Sequence, residues 1–269
     1  MSLNQLREST GWRPGATVAV ALTPLRNIGG FFAFSLDIFV GMLSPPFAWR
    51  EFLDQTWFVA RVSLVPALML SIPYVVITVF AFNVLLIEVG AADYCGSGAA
   101  TAAVNQIGPL VTVLVIAGAG AAAMCADLGA RTIREELDAL SVMGIDPVRA
   151  LLVPRVLAAT VVSLLLSSLV TLTGLTGGFL FSVFFQHVTP GAFVAGMTWI
   201  TGISDVLVSM IKATLFGLTA GLVACYQGTT VHNGPAGVGN AVNETVVFSF
   251  VLLFIINLVA TAIGYEVVK

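Results

Sequence analysis

Five stretches of this chain, about residues 62–89, 105–125, 156–185, 199–226 and 244–265, are apolar over lengths that reach or exceed what a helix needs to cross a bilayer. No other feature limits the fold as strongly. Inside hydrocarbon no water satisfies backbone N–H and C=O groups, so a crossing segment is either a helix or a strand of a closed barrel. Long continuous runs, rather than short alternating ones, select the helix. Composition agrees: 58% of the residues are hydrophobic and 9% are charged, where a soluble domain carries about 25% charge. The net charge of −3 is too small to mark a nucleic-acid binder.

The chain reads as one domain over 1–269, an all-α membrane protein. Residues 1–16 are a polar N-terminus without the apolar core of a cleavable signal peptide. Residues 17–48 are mildly apolar, carry Arg26 and Asp37, and are interrupted by Pro24 and Gly29-Gly30. They predict an interfacial helix, with Trp49, Arg50 and Trp57 at headgroup level before the first span. Pro66 and Pro73 predict kinks in that span. The small-residue stretch 90–104 reads as an outer hairpin segment, 186–198 as an outer loop, and 227–243 as a Gly-rich inner loop. The run Ala117 to Ala123 and the pairs Gly174/Gly178 and Gly217/Gly221 are small residues at spacings that allow close helix contact in lipid.

Between the second and third spans lies the one densely charged segment, 126–155. Ile133, Leu137 and Leu140 recur at helical spacing, and Arg131/Glu135 and Arg134/Asp138 stand four apart, where they can pair. Gly144 predicts a helix stop, and Asp146-Pro147 a restart, with Asp as N-cap. The segment is either a solvated loop helix or a docking surface. Arginines at 7, 13, 26, 50 and 61 precede the first span, and at 131, 134, 149 and 155 they sit in or beside the charged segment; 90–104 and 186–198 hold none. The positive-inside rule therefore predicts a cytoplasmic N-terminus and charged segment, and an external C-terminus.

The string ADLGARTIREELDALSVMGIDP, at 126–147, resembles the signature loop of the MlaE/YrbE permeases, membrane subunits of lipid-transporting ABC systems. RTIREELDAL is similar to the A-type YrbE subunit of actinobacterial Mce systems. The likeness extends to residues 57–73, 108–129, 204–228 and 234–247. It implies an elbow helix followed by five transmembrane helices in the plasma (inner) membrane, with a cytoplasmic coupling helix between spans two and three. That helix would dock on a separate ABC ATPase dimer through Arg131, Ile133, Arg134, Glu135, Glu136, Leu137, Asp138, Leu140 and Met143. The resemblance also implies a B-type YrbE permease partner, MCE proteins on the outer side, and import of lipids such as fatty acids, sterols or phospholipids.

The residues fit a non-enzymatic role. Neither Lys212 nor Lys269 sits in a P-loop, so ATP would be bound by the partner and no cofactor is expected on this chain. His187 and His232 are isolated, no metal-ligand spacing occurs, and no catalytic set shares a face. Cys95, Cys125 and Cys225 lack CxxC spacing and read as buried small side chains. Candidate lipid-cavity residues are Asn83, Glu88, Asn105, Gln106, Ile107, Asp205 and Lys212. Lys212 lies deep in the fourth span, two helical turns from Asp205; it either forms an ion pair or meets an anionic headgroup. Asn105-Gln106 stand where MlaE has Arg-Glu before its Gly-Pro. An integral-membrane lipid-modifying enzyme is the alternative, and would require Glu88, Asp93, Asp205 and Lys212 to converge. A channel is disfavoured by the absence of charge rings or a repeated filter.

Overall fold

The computed structural model describes residues 29–44, 47–91, 94–186, 188–200, 202–232 and 234–268. The expected polar terminus 1–16, the first part of the interfacial helix, Asp93 and His187 lie outside them. Every regular element within them is helical: α1 (Gly29–Met42), α2 (Trp49–Glu88), α3 (Cys95–Ile133), α4 (Glu136–Val142), α5 (Val148–Phe185), α6 (Pro190–Ile200), α7 (Ile203–Thr229) and α8 (Gly234–Val268). Helices α2, α3, α5, α7 and α8 are long and apolar enough to cross a membrane.

Four of the five membrane-length helices begin earlier and run longer than the apolar runs alone indicate; α7, expected from 199, instead begins at Ile203, because Trp199 and Ile200 end α6. The segment 90–104, read as an outer hairpin, is largely the first part of α3. Its glycines serve contact rather than turning: a Cβ on Gly96 would lie 1.9 Å from the Phe193 carbonyl oxygen of α6. The outer loop expected at 186–198 likewise holds most of α6. The Gly-rich stretch 227–243 is mostly helix, because α7 continues to Thr229 and α8 starts at Gly234. The turn between them is tight enough that a Cβ on Gly237 would fall 1.8 Å from the His232 carbonyl oxygen. Glycine was read as a loop signal where it is a packing requirement.

Three wide, π-type turns interrupt ordinary winding: Ala102–Ile107 and Ile116–Ala121 in α3, and Val148–Leu152 at the start of α5. Pro109 follows the first and Pro154 the third. Proline lacks the N–H that an α-turn needs and clashes with the carbonyl four residues back, and a local π turn relieves both. Helix α2 continues through Pro66 and Pro73 without such a turn.

Helix α5 lies along both α2 and α7, and α7 in turn packs on α3 and α8. The contacts are made by small residues, as the spacing predicts. Cβ atoms on Gly174 and Gly178 would come within 3.3 Å of Val75 and Val79 of α2. Across the other face, a Cβ on Gly217 would lie 2.5 Å from the Ala159 carbonyl oxygen, and one on Gly221 3.1 Å from the Val156 Cα. Ala117 and Ala121 of α3 are fully buried. Helix α3 is the innermost span, 61% buried over its apolar window, while α8 is only 11% buried and forms the rim. Helix α1 lies across one end of α5 and α7: Phe31 and Phe34 meet the Tyr226 ring edge-on, and Ile38 is fully buried against Leu128, Leu152, Val156 and Leu222.

Gly217→Ala is expected to destabilise the bundle by about 1–3 kcal/mol, because its methyl must displace backbone atoms of α5. Gly177→Ala, which meets nothing within 4 Å, is expected to be neutral. Thermal unfolding of the two variants in detergent distinguishes these outcomes.

Candidate functional site

The sequence singles out two regions, the charged segment and the intramembrane polar residues. Of the two, the charged segment is the more tightly built. Helix α3 carries Asp127 and Arg131 out of its apolar stretch and ends at Ile133. The chain then turns sharply, since Glu135 adopts φ +59°, ψ +23°, the left-handed region. Short helix α4 follows, and Gly144 closes it at φ +78°. The Val148 N–H donates to the Asp146 carboxylate at 3.0 Å, so Asp146 caps the restart as its position predicts.

The expected unbroken helix through Arg131 to Met143 is therefore corrected to two pieces hinged at Arg134-Glu135. The expected Arg131/Glu135 and Arg134/Asp138 pairs do not form, because the left-handed residue takes the partners off a common face. Arg131 Nε lies 3.4 Å from Asp127, and Arg134 Nε pairs with Glu136 at 3.0 Å. Of the expected apolar stripe, Ile133, Leu137 and Leu140 are half-buried. Leu137 rests on the cluster formed by Ile38, Leu128 and Leu152. Val142 at 88% exposed and Met143 at 65% point away from the bundle, with Ile145 beside them.

Beneath this segment lies an ion cluster that sequence reading missed. The Arg155 side chain is 0% exposed. Its Nη2 donates to Asp127 Oδ2 at 2.5 Å and stands 3.9 Å from Glu51 Oε1. Gln55 Nε2 donates to the same Glu51 oxygen at 2.9 Å. Helices α2, α3 and α5 thus meet on one guanidinium. Two arginines against two carboxylates leave the cluster neutral, yet the buried Nε and Nη1 of Arg155 make no hydrogen bond. Two sequence signals mark it: Arg155 follows a proline into an apolar run, and Asp127 ends one, so each requires a partner of opposite sign. The Thr132 hydroxyl lies 2.9 Å from the Gly228 carbonyl, which brings α7 to the same junction.

The intramembrane candidates are dispersed. Asn83 is fully buried between α2 and α5, where its amide donates to Ser182 Oγ at 2.8 Å and to Gln186 Oε1. Glu88 is exposed at the end of α2. Asn105, half-buried, and Gln106, exposed, occupy the first π-type turn, with Ile107 buried. Asp205 accepts the Gly202 N–H at 3.0 Å and so caps its own helix. Lys212 is 3% exposed, and its Nζ donates to Thr261 Oγ1 of α8 at 3.0 Å. Among the described residues no carboxylate lies within ion-pair distance of Lys212, so the Asp205–Lys212 pair is corrected. One turn before Thr261 on α8, Asn257 Oδ1 is buried without a partner. No hydrogen bond or ion pair joins any two of the candidate residues among those described, so the convergence that lipid-modifying chemistry requires is not seen there.

Arg155→Ala is expected to lower stability by about 3 kcal/mol, because it empties a fully buried site and leaves the part-exposed Asp127 and Glu51 facing each other without their shared cation. Arg155→Lys is expected to recover only part, since the shorter lysine side chain must bring its ammonium to the place that Nη2 holds beside both acids. Thermal midpoints measured in detergent check both.

Comparison with known proteins places this helical bundle. A family profile described as permease MlaE matches residues 52–263. The chain is 29% identical over 245 residues to a probable ABC transporter permease protein of Synechocystis sp., covering 90% of this chain and 92% of that one. It is 27% identical over 253 residues to a probable ABC transporter permease protein of Rickettsia typhi, covering 90% and 93%. It is 30% identical over 183 residues to the intermembrane phospholipid transport system permease protein MlaE of Haemophilus influenzae, covering 68% and 70%. With five membrane-length helices and a profile match over most of its length, this chain is a multi-pass membrane protein that belongs to the MlaE permease family.

Proposed function

We propose that this chain is the membrane-spanning permease subunit of an ATP-driven lipid transporter of the MCE type. It works without an active site of its own, and its energy comes from an ATPase dimer on the cytoplasmic face of the inner membrane. The observation that carries the reading is the match to permease MlaE across 52–263, together with the apolar tip Val142, Met143 and Ile145 held clear of the bundle on a charged segment. Exposed apolar side chains ringed by charge suit a protein contact better than solvent.

On this reading α4 and its flanks, from Arg131 to Met143, take the push of the ATPase. The Arg155–Asp127–Glu51 junction passes it into α2, α3 and α5. The partner permease is a B-type YrbE subunit, MCE proteins form the conduit on the outer side, and lipid moves inward. The arginine distribution supports a cytoplasmic N-terminus and charged segment with an external C-terminus. Lys212 supports an anionic lipid: a buried ammonium held by one neutral hydroxyl is under-compensated, and a phosphate or carboxylate headgroup supplies the missing charge.

Co-expression with the ATPase and partner subunits tests the assignment. The complex is expected to purify together and to hydrolyse ATP faster with lipid. Val142→Asp/Met143→Asp is expected to weaken ATPase binding about a hundredfold, as two lost apolar anchors imply, with the thermal midpoint unchanged. Full binding by that variant overturns the docking role. Lys212→Met is expected to keep or raise the thermal midpoint while reducing stimulation by anionic lipid about tenfold, the worth of one charge-assisted hydrogen bond. A lowered midpoint with full stimulation overturns the headgroup role.

A further inference from the structure

We infer that Arg134-Glu135 is a two-state hinge, and that the charged segment alternates between the bent form seen here and a straight form in which α3 and α4 join into one helix. Three observations carry this. First, Glu135 is the one non-glycine residue at positive φ among the described residues, at φ +59°. An L-residue is disfavoured there roughly fivefold to thirtyfold, so the bend exists only because something else holds it.

Second, what holds it is visible and modest. Leu137 lies half-buried on the Ile38–Leu128–Leu152 cluster, and Arg134 pairs with Glu136 at 3.0 Å in an exposed position. Third, the sequence carries a complete second set of partners for the straight form. With Glu135 in ordinary helical conformation, Arg131/Glu135 and Arg134/Asp138 fall on common faces at i,i+4 spacing. Arg131 also holds Asp127 at 3.4 Å, one turn back within α3 and upstream of the bend, so that contact is open to it in either form. Arg134 thus has one acid for each form and Arg131 gains a second in the straight form, and the backbone strain of the bent form roughly offsets the packing that it gains. That balance is what a switch requires.

Straightening has a defined consequence. It lifts Leu137 out of the cluster and brings the Glu135 carboxylate to compete with Asp127 for Arg131, so that Asp127 leans more on Arg155. The state of α4 is thereby written into the junction of α2, α3 and α5. The use of this hinge in transport rests on the proposed function, but the hinge itself does not, and its test needs neither ATPase nor lipid cargo.

The full chain is reconstituted in nanodiscs with nitroxides at Leu53→Cys and Val142→Cys, both exposed; the native cysteines are buried, and a sample without introduced cysteines reports any labelling of them. Pulsed dipolar EPR reads the distance from α2 to the tip of α4. Helix α4 has seven residues, so re-aiming it moves its tip by up to roughly 10 Å. Leu137→Gln/Glu136→Gln removes the contacts to the Ile38–Leu128–Leu152 cluster and to Arg134 that hold the bent form, and is expected to populate a second, discrete distance. Adding Glu135→Gly makes the left-handed bend easy and the helix costly, and is expected to return the distribution to the first distance at least tenfold. A single unchanged distance in every variant overturns the hinge. So does a broad distribution that Glu135→Gly fails to sharpen, which is melting of α4 rather than a second form.

Discussion

A helix immersed in lipid gains nothing by burying a leucine against another helix, because the hydrocarbon around it is equally apolar. Everything that holds this bundle together follows from that. Cohesion must come from close van der Waals contact and from polar groups with nowhere else to go. The chain uses both, in different places. Along its length α5 meets α2 and α7 through glycines and alanines that let backbones touch. At the charged end, where contact by shape gives way to loops, one fully enclosed guanidinium draws three helices together.

These two kinds of cohesion divide the molecule. Helices α3, α5 and α7 form a dense interior whose registers are set by sterics. The rim is different: α8 shows most of its surface, and among the described residues its side chains reach α7 through Lys212–Thr261 and Gln227–Glu244. The end that bears the charges is different again. There a half-buried leucine and one exposed ion pair position α4, and such contacts are weak enough to exchange. A rigid interior with a softly held appendage suits the proposed role, in which the subunit responds to an ATPase without coming apart.

The helical class and the small-residue contacts were legible in the sequence, because lipid imposes hydrogen-bond satisfaction and tight approach on any chain that enters it. Gly174, Gly178, Gly217 and Gly221 are read correctly from spacing alone. Glycines at 96 and 237 are misread as turns, since the same residue answers a demand for freedom and a demand for space, and only the neighbour across the contact tells which. The Gly144 stop and the Asp146 cap were legible because local chemistry decides them. The bend at Glu135 was not: helical pairing across it is available in the sequence, and tertiary packing of Leu137 overrides it. Arg155 was counted with the surface charges of its segment, although its place beyond Pro154 in an apolar run sets it apart. The polar candidates Asn83, Asp205 and Lys212 were found by rarity, which marks a residue as costly without naming its partner.

The π-type turns in α3 have one more implication. A wide turn is an ordinary helix with one residue too many, looped out without disturbing the winding on either side. Shortening the chain by one residue within 102–107 or 116–121 would therefore leave the downstream faces pointing where they do now. The same deletion anywhere else in α3 would rotate everything after it by about 100°. Length variation among related chains has two natural sites along this span, and beyond them the interior fixes the count.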